Sequence, residues 1–297
     1  MDPSTIYDQV RQHYSAASQG TTAQYSSAIA KSFGYSQEEL ANIPEDANLG
    51  LSCGNPLAIT GLRKGETILD LGSGAGFDVF LASTKLGASG RAIGIDMNDD
   101  MLSRANAIKV SRGASADNVS FLKGVITAVP LEDGIADCII SNCVLNLVPA
   151  DEKHLVFREM YRLLKPGGRV AVSDILAKKQ LPENLVRDMA MYVGCIAGAS
   201  QVGEYEAWLR DAGFEDVLIT DTMSDLNVYL DIGEDGKNKG DCCAPATPQA
   251  GEGANPVSCC AVPAEKVGES ANKAGVAAEK TDLNEWVGSF KVYAVKA

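Results

Sequence analysis

The chain has 297 residues, 45% hydrophobic and 22% charged, and its 39 acidic against 26 basic side chains give a formal net charge of -13. That length and balance support a sizeable core in one large or two modest domains. The acidity excludes nucleic acid and anionic membrane as main partners, because both carry the same sign of charge.

No apolar run approaches the roughly 20 residues of a membrane helix, and the N-terminal stretch MDPSTIYDQVRQHYSAAS has no apolar signal core. A cytoplasmic protein without membrane association is expected, with a monomer as the default. Its eight cysteines are then expected as reduced thiols. The two histidines are His13 and His154, too few for a histidine metal site, and no Ser-His-Asp motif surrounds either.

From about residue 60, short apolar runs alternate with helical periodicity. TILDLG (67–72) reads as a strand and FDVFLASTKLG as a helix ended by glycine. RAIGID (91–96), VSFLKG (119–124), ADCIISN (136–142) and GRVAVSDI (168–175) read as further strands. DDMLSRANAIKVSRG (99–113) and DEKHLVFREMYRLL are helices between them, the second ended by a KPGG turn. Strands apolar nearly throughout, separated by helices, imply a parallel sheet covered on both faces, a doubly wound α/β fold. Residues 181–213 read as mostly helical, EDVLIT (215–220) as a late strand, and GSFKVYAVKA (288–297) as a half-buried strand by its alternation. Residues 232–281, rich in Gly, Ala, Pro, Lys and Glu, cannot bury a core and read as a mobile insertion inside the hairpin of those last two strands.

After the first strand, ILDLGSGAGFD carries Gly72, Gly74 and Gly76. Such a turn lets a ligand approach the main chain and the next helix N-terminus. The spacing is GxGxG, and Phe77 stands where a dinucleotide fingerprint needs its third glycine. Asp70 precedes the first glycine by two residues; it would repel a pyrophosphate but can hold the ammonium of an amino-acid moiety. Asp96, ending the second strand 20 residues after Gly76, can accept both hydroxyls of a ribose. Together these favour S-adenosylmethionine (SAM) over NAD. Met97 and Asn142, at strand ends, join the expected cofactor residues, and main-chain contact around Ile126 in GVITAVP is expected under the adenine.

The cysteines form two sets. Cys138, inside a strand, reads as a small core hydrophobe. Cys143 follows the fourth strand, at the carboxyl rim where open α/β sheets bind ligands. Cys53 and Cys195 both sit beside glycine, whose turning backbone can bring remote thiols together. Three converging thiolates select a soft, thiophilic centre. Zinc competes, but its sites usually show CxxC spacing and four ligands, and neither is present.

LDLGSGAGFDVFLAS, SNCVLNLVPADEKHLVFREMYRLLKPGGRVAVSDI and LPENLVRDMAMYVGCIAGA resemble the arsenite S-adenosylmethionine methyltransferase family over about residues 48–220, including SCGNP at 52–56. The resemblance implies a Rossmann-like class I methyltransferase sheet with a mostly helical substrate-binding C-terminal region. Cys53, Cys143 and Cys195 become the thiolates that hold As(III), although a further cysteine that some members carry upstream of SCGNP is missing here. It further implies methyl transfer to arsenite or a thiol conjugate, giving mono- and dimethylated arsenicals, with glutathione or thioredoxin as reductant. A lowered thiol pKa would help capture. Tyr14, in IYDQVRQHYSAAS, matches a segment that closes over SAM in related enzymes, and amphipathic packing is its equal alternative. Cys242, Cys243, Cys259 and Cys260 are expected to capture arsenic for the site or to be dispensable.

The expected division is an N-terminal lid and first ligand segment (1–60), a SAM-binding domain (61–177), an arsenic-binding region (178–231), the insertion (232–281) and a terminal strand (282–297). Two alternatives stay open: a carbon or oxygen methyltransferase of a lipid or quinone, and an arsenic-binding buffer without turnover.

Overall fold

A computed structural model describes residues 2–186, 192, 195–232 and 282–297. Cys242, Cys243, Cys259 and Cys260, and nearly all of the expected insertion, lie outside the described residues. Three helices come first: α1 (Pro3–Ala17), α2 (Ala23–Ser32) and α3 (Gln37–Asn42). Then follow β1 (Thr67–Leu71), α4 (Phe77–Leu86), β2 (Arg91–Asp96), α5 (Asp99–Arg112), β3 (Val119–Lys123) and β4 (Ala136–Asn142). The second half holds α6 (Lys153–Leu163), β5 (Leu164–Ala177), the single turn α7 (Glu183–Val186), α8 (Val202–Ala212), β6 (Glu215–Asp221), the turn α9 (Val228–Asp231) and β7 (Val287–Val295). Among the described residues no helix is long and apolar enough to cross a membrane.

The seven strands make one sheet in the order β3-β2-β1-β4-β5-β7-β6. β1 to β5 are mutually parallel, as their apolar runs imply. The sheet is nevertheless mixed and not all parallel, because β7 runs antiparallel between β5 and β6. β6 therefore runs parallel to β5, with α8 between them in the chain, and β7 alone runs against the other six strands. β5 is also longer than its apolar run. Its pairing with β4 jumps from Ala136–Leu164 to Cys138–Arg169, and this irregularity absorbs the KPGG residues expected as a turn.

Alternate residues of each central strand feed opposite faces. Leu69, Ile93, Ile139 and Val170 pack with Val156, Phe157 and Met160 of α6 and Leu209 of α8. Ile68, Ala92, Ile140 and Ala171 pack on the other side with Val79 and Phe80 of α4 and Ile108 of α5. Cys138 belongs to this second core, fully buried, as a small hydrophobe would be.

A third cluster caps the carboxyl rim. It joins Ile6 and Val10 of α1, Ile29 and Phe33, Ile175, Leu226 and Val287 around Cys53, Cys143 and Cys195. The N-terminal helices and the C-terminal segments thus meet over the one edge where an α/β sheet can host a ligand.

Candidate functional site

At the end of β1 the chain turns through Gly72, Gly74 and Gly76, with φ of 80°, 51° and 90°. Only glycine takes these values without strain. At Gly72 space decides as well, since a Cβ there would lie 2.4 Å from Val144 Cγ2. The Gly74 N–H donates to Asp96 Oδ2 at 2.8 Å, and the Asn98 N–H donates to Asp96 Oδ1 at 2.8 Å. The Asp96 carboxylate therefore ties the glycine loop to the start of α5, whose N-cap is Asn98.

Around this loop opens a cleft at the carboxyl rim of the sheet. Asp70, Gly72, Gly74, Asp96, Met97, Ile126, Asn142 and Tyr14 all line it, so it gathers eight of the nine expected cofactor residues. Gly76 is the exception. It forms the N-cap of α4, and a Cβ there would lie 2.6 Å from the Phe121 ring. Its role is to let helix and strand approach.

Asp70 is 3% exposed, and its carboxylate has no hydrogen-bond or cationic partner among the described residues. Burial, then the neighbouring Asp78 and Asp96, push its pKa well above the usual carboxylate range. An unpaired acid at the floor of a cleft is costly unless a bound cation completes it. The ammonium of an amino-acid moiety is such a partner, so the residues present fit SAM.

The three thiols converge beside this cleft. Cys53 is held by its backbone: its N–H donates to Asn142 Oδ1 at 3.3 Å, and its carbonyl accepts from Ser289 Oγ of β7 at 2.6 Å. Tyr229 adds a bond from its hydroxyl to the Ser52 carbonyl at 2.8 Å. Cys143 follows β4, and its N–H donates to the Ser173 carbonyl at 2.9 Å. Cys195 Sγ lies 2.8 Å from the Cys143 carbonyl oxygen. Cys143 and Cys195 have φ of 60° and 65°, the left-handed region that costs an ordinary residue of order 1–2 kcal/mol. Asn142 and Val144 line the cleft on either side of Cys143, and the Tyr14 hydroxyl lies 4.0 Å from Cys195 Sγ.

Burial pushes Cys53 up to about 12 and raises Cys143 well above the usual value. Cys195 is raised by its hydrogen bond with Cys143 and then by burial. The expected lowering is thus reversed, because these sulfurs are buried in an apolar cluster beside one another and beside Asp174.

Sequence reasoning missed the polar frame around the thiols. Asp174, fully buried near the end of β5, accepts from Tyr205 Oη at 2.8 Å, Asn146 Nδ2 at 3.0 Å and the Ile175 N–H at 2.9 Å. Burial raises its pKa to about 6. Asn146 Nδ2 also donates to the Cys195 carbonyl at 3.1 Å, which ties the two cysteine turns together. Lys153 of α6 is 2% exposed, donates to the Gly198 carbonyl and to Ser200 Oγ, and is lowered by burial to about 8. The available signal was an acid closing an otherwise apolar strand, VAVSDI, at the same rim as Cys143. Asn146 and Lys153 carried no such signal.

A family model described as "Methyltransferase domain" matches residues 62–213. The chain is 44% identical over 207 residues to an arsenite methyltransferase of Halobacterium salinarum, which covers 68% of this chain and 52% of that protein. It is 41% identical over 179 residues to an arsenite methyltransferase of Aquipseudomonas alcaligenes, covering 58% of this chain and 50% of that one. The chain thus spans about half the length of the curated relatives it matches. An arsenic(III) S-adenosylmethionine methyltransferase from Chlamydomonas reinhardtii shares the fold, with a TM-score of 0.56 and 23% identity over 93% of this chain and 74% of that one. The sheet has the fold of class I methyltransferases.

Proposed function

This chain belongs to the methyltransferase-domain family, and from that premise we propose that it methylates trivalent arsenic with SAM. One observation carries the reading: thiols from residues 53, 143 and 195, remote in sequence, meet in one buried cluster against the cofactor cleft. The arsenite methyltransferases among the relatives support it, since the chain aligns with about half of each.

The cofactor would lie on the glycine loop, its ammonium at Asp70, its ribose at Asp96 and its adenine along Gly124–Ile126. Bound there, SAM supplies an electrophilic methyl group. Tyr14 and Val10 of α1 close the cleft from above and keep water out. Cys53, Cys143 and Cys195 hold the arsenic. Because burial keeps them protonated, they exchange as thiols: each S–H proton leaves with a displaced hydroxide as water while an As–S bond replaces an As–O bond. Three such exchanges leave a pyramidal centre with a lone pair and no proton to remove, so no catalytic base is needed. The chain contributes proximity and orientation. Methyl transfer takes As(III) to As(V), so thiol reductants such as glutathione or thioredoxin would return it for another round. Mono- and dimethylated arsenicals are the products this reading implies.

A carbon or oxygen methyltransferase would leave the three thiols without a role, and a passive arsenic buffer would leave the SAM cleft without one. Purified protein incubated with SAM, arsenite and a thiol, with arsenic species identified by mass, separates the readings. Methylated arsenic is expected from the parent and none from Cys143→Ser. Absence of any methylated arsenic from SAM-binding parent protein would remove the proposal.

A further inference from the structure

The polar frame described above places a second set of ligands on the same sulfurs. Cys53 Sγ, Cys143 Sγ and a carboxylate oxygen of Asp174 all lie within 4.8 Å of one another, and all three residues are buried. From that juxtaposition we infer that Cys53, Cys143 and Asp174 form a binding site for a thiophilic divalent cation of the zinc or cadmium type, in competition with As(III).

Distance, donor chemistry and charge each support this. A tetrahedral centre with bonds of about 2.3 Å to sulfur sets its ligand atoms about 3.8 Å apart. Closing from at most 4.8 Å therefore asks for movement of about 1 Å or less. A bond from Asp174 to the cation would replace one of its present donors: Oδ1 accepts from the Ile175 N–H and Asn146 Nδ2, Oδ2 accepts from Tyr205 Oη, and the Leu145 N–H also faces the carboxylate. Two sulfurs and one carboxylate oxygen suit a borderline cation of charge two, which accepts both ligand types. As(III) is softer and takes three sulfurs, so it requires Cys195 and has no use for Asp174. Binding releases the two thiol protons to solvent, and the resulting two thiolates and one carboxylate are balanced by the dication together with the buried ammonium of Lys153, which interacts with Asp174.

Cys143, like Cys53, is therefore shared. With Cys53 and Cys195 it makes the metalloid site, and with Cys53 and Asp174 the cation site. Binding at one excludes the other, and arsenic chemistry would be inhibited by divalent thiophilic metals through direct occupation of two of its three sulfurs. The cation site does not depend on the arsenic reading, because Cys195 belongs to only one of them.

The test uses the full chain with Cys242, Cys243, Cys259 and Cys260 changed to serine, reduced and freed of metal, titrated with Cd2+. Thiolate-to-metal charge-transfer absorption reports the cation, and mass analysis of retained arsenic reports As(III). One Cd2+ per chain is expected, released one for one by As(III). Asp174→Asn should weaken Cd2+ by on the order of 10–100-fold and As(III) by less than about threefold, and Cys195→Ser should do the reverse. No Cd2+ binding in the four-serine chain, unchanged Cd2+ affinity in Asp174→Asn, or Cd2+ and As(III) bound together would each overturn the inference. The competition arm needs no substitution at the site, so it holds even if Asp174→Asn fails to fold. Retained As(III) affinity in Cys195→Ser would instead sink the three-thiol arsenic site and leave the cation site standing.

Discussion

Gly198 is three residues past Cys195, and a single methyl group there tests whether the cysteine turns must touch. A Cβ on Gly198 would lie 2.1 Å from the Asn146 carbonyl oxygen and 3.2 Å from the Tyr192 ring. Contacts under 3.0 Å are not tolerated, so Gly198→Ala forces the two turns apart by about 0.9 Å, the difference between 3.0 and 2.1. The turns bear Cys143 and Cys195 and are joined by the Asn146 bond to the Cys195 carbonyl, so the opening separates the third thiol from the other two. Overpacking of this kind costs about 1–3 kcal/mol, a fall in Tm of about 2–12 °C. A misplacement near 1 Å at the reacting centre costs about 100-fold in kcat/KM. The assay pairs thermal unfolding with arsenite methylation kinetics and compares Gly203→Ala, where nothing lies within 4 Å of the added methyl. In α8 that control should stabilise by about 0.5–1 kcal/mol and leave kinetics unchanged. Parent-like kcat/KM and arsenic affinity in Gly198→Ala would refute the requirement for contact.

Asp70→Asn should weaken SAM by about 10–100-fold in calorimetry, the loss of one charged hydrogen bond, while raising the Tm of the ligand-free protein by removing a buried, unpaired acid. Lys153 is lowered to about 8 from 10.5, so between those values the unfolded chain binds more protons and stability rises with pH. Lys153→Met should therefore lose a gain of on the order of 1–3 kcal/mol between pH 8 and 10.5, read by denaturant unfolding at several pH values; an equal pH dependence in parent and variant would contradict it. Cys138→Ala removes a buried sulfur from the core and should cost about 1 kcal/mol with no change in methylation, in contrast to Cys143→Ser.

The α/β pattern was legible because its signals are local. A strand buried on both faces must be apolar at both parities, and TILDL, ADCII and RVAVS satisfy that within a few residues each. The glycine loop was legible for the same reason, since Gly72 and Gly74 face backbone demands that no other residue meets without strain. The antiparallel pairing of β6 with β7 was legible as a hairpin, but the insertion of β7 between β5 and β6 was not, because order within a sheet is set by the route the chain takes. The KPGG residues failed as a simple turn because pairing with β4 could be shifted to accommodate them.

The thiols divide along the same line. Sequence by itself determined which cysteines stand at strand ends or beside glycine, and that Cys138 does not, because those are properties of neighbours in the chain. Only the tertiary structure decided that Cys53, Cys143 and Cys195 share one cluster, that burial raises their pKa values, and that Asp174 joins two of them. Electrostatics and ligand geometry depend on distances across the fold. Between residues 53 and 195 those distances are set by the sheet, by β7 under the Cys53 carbonyl, and by Asn146 bridging two turns.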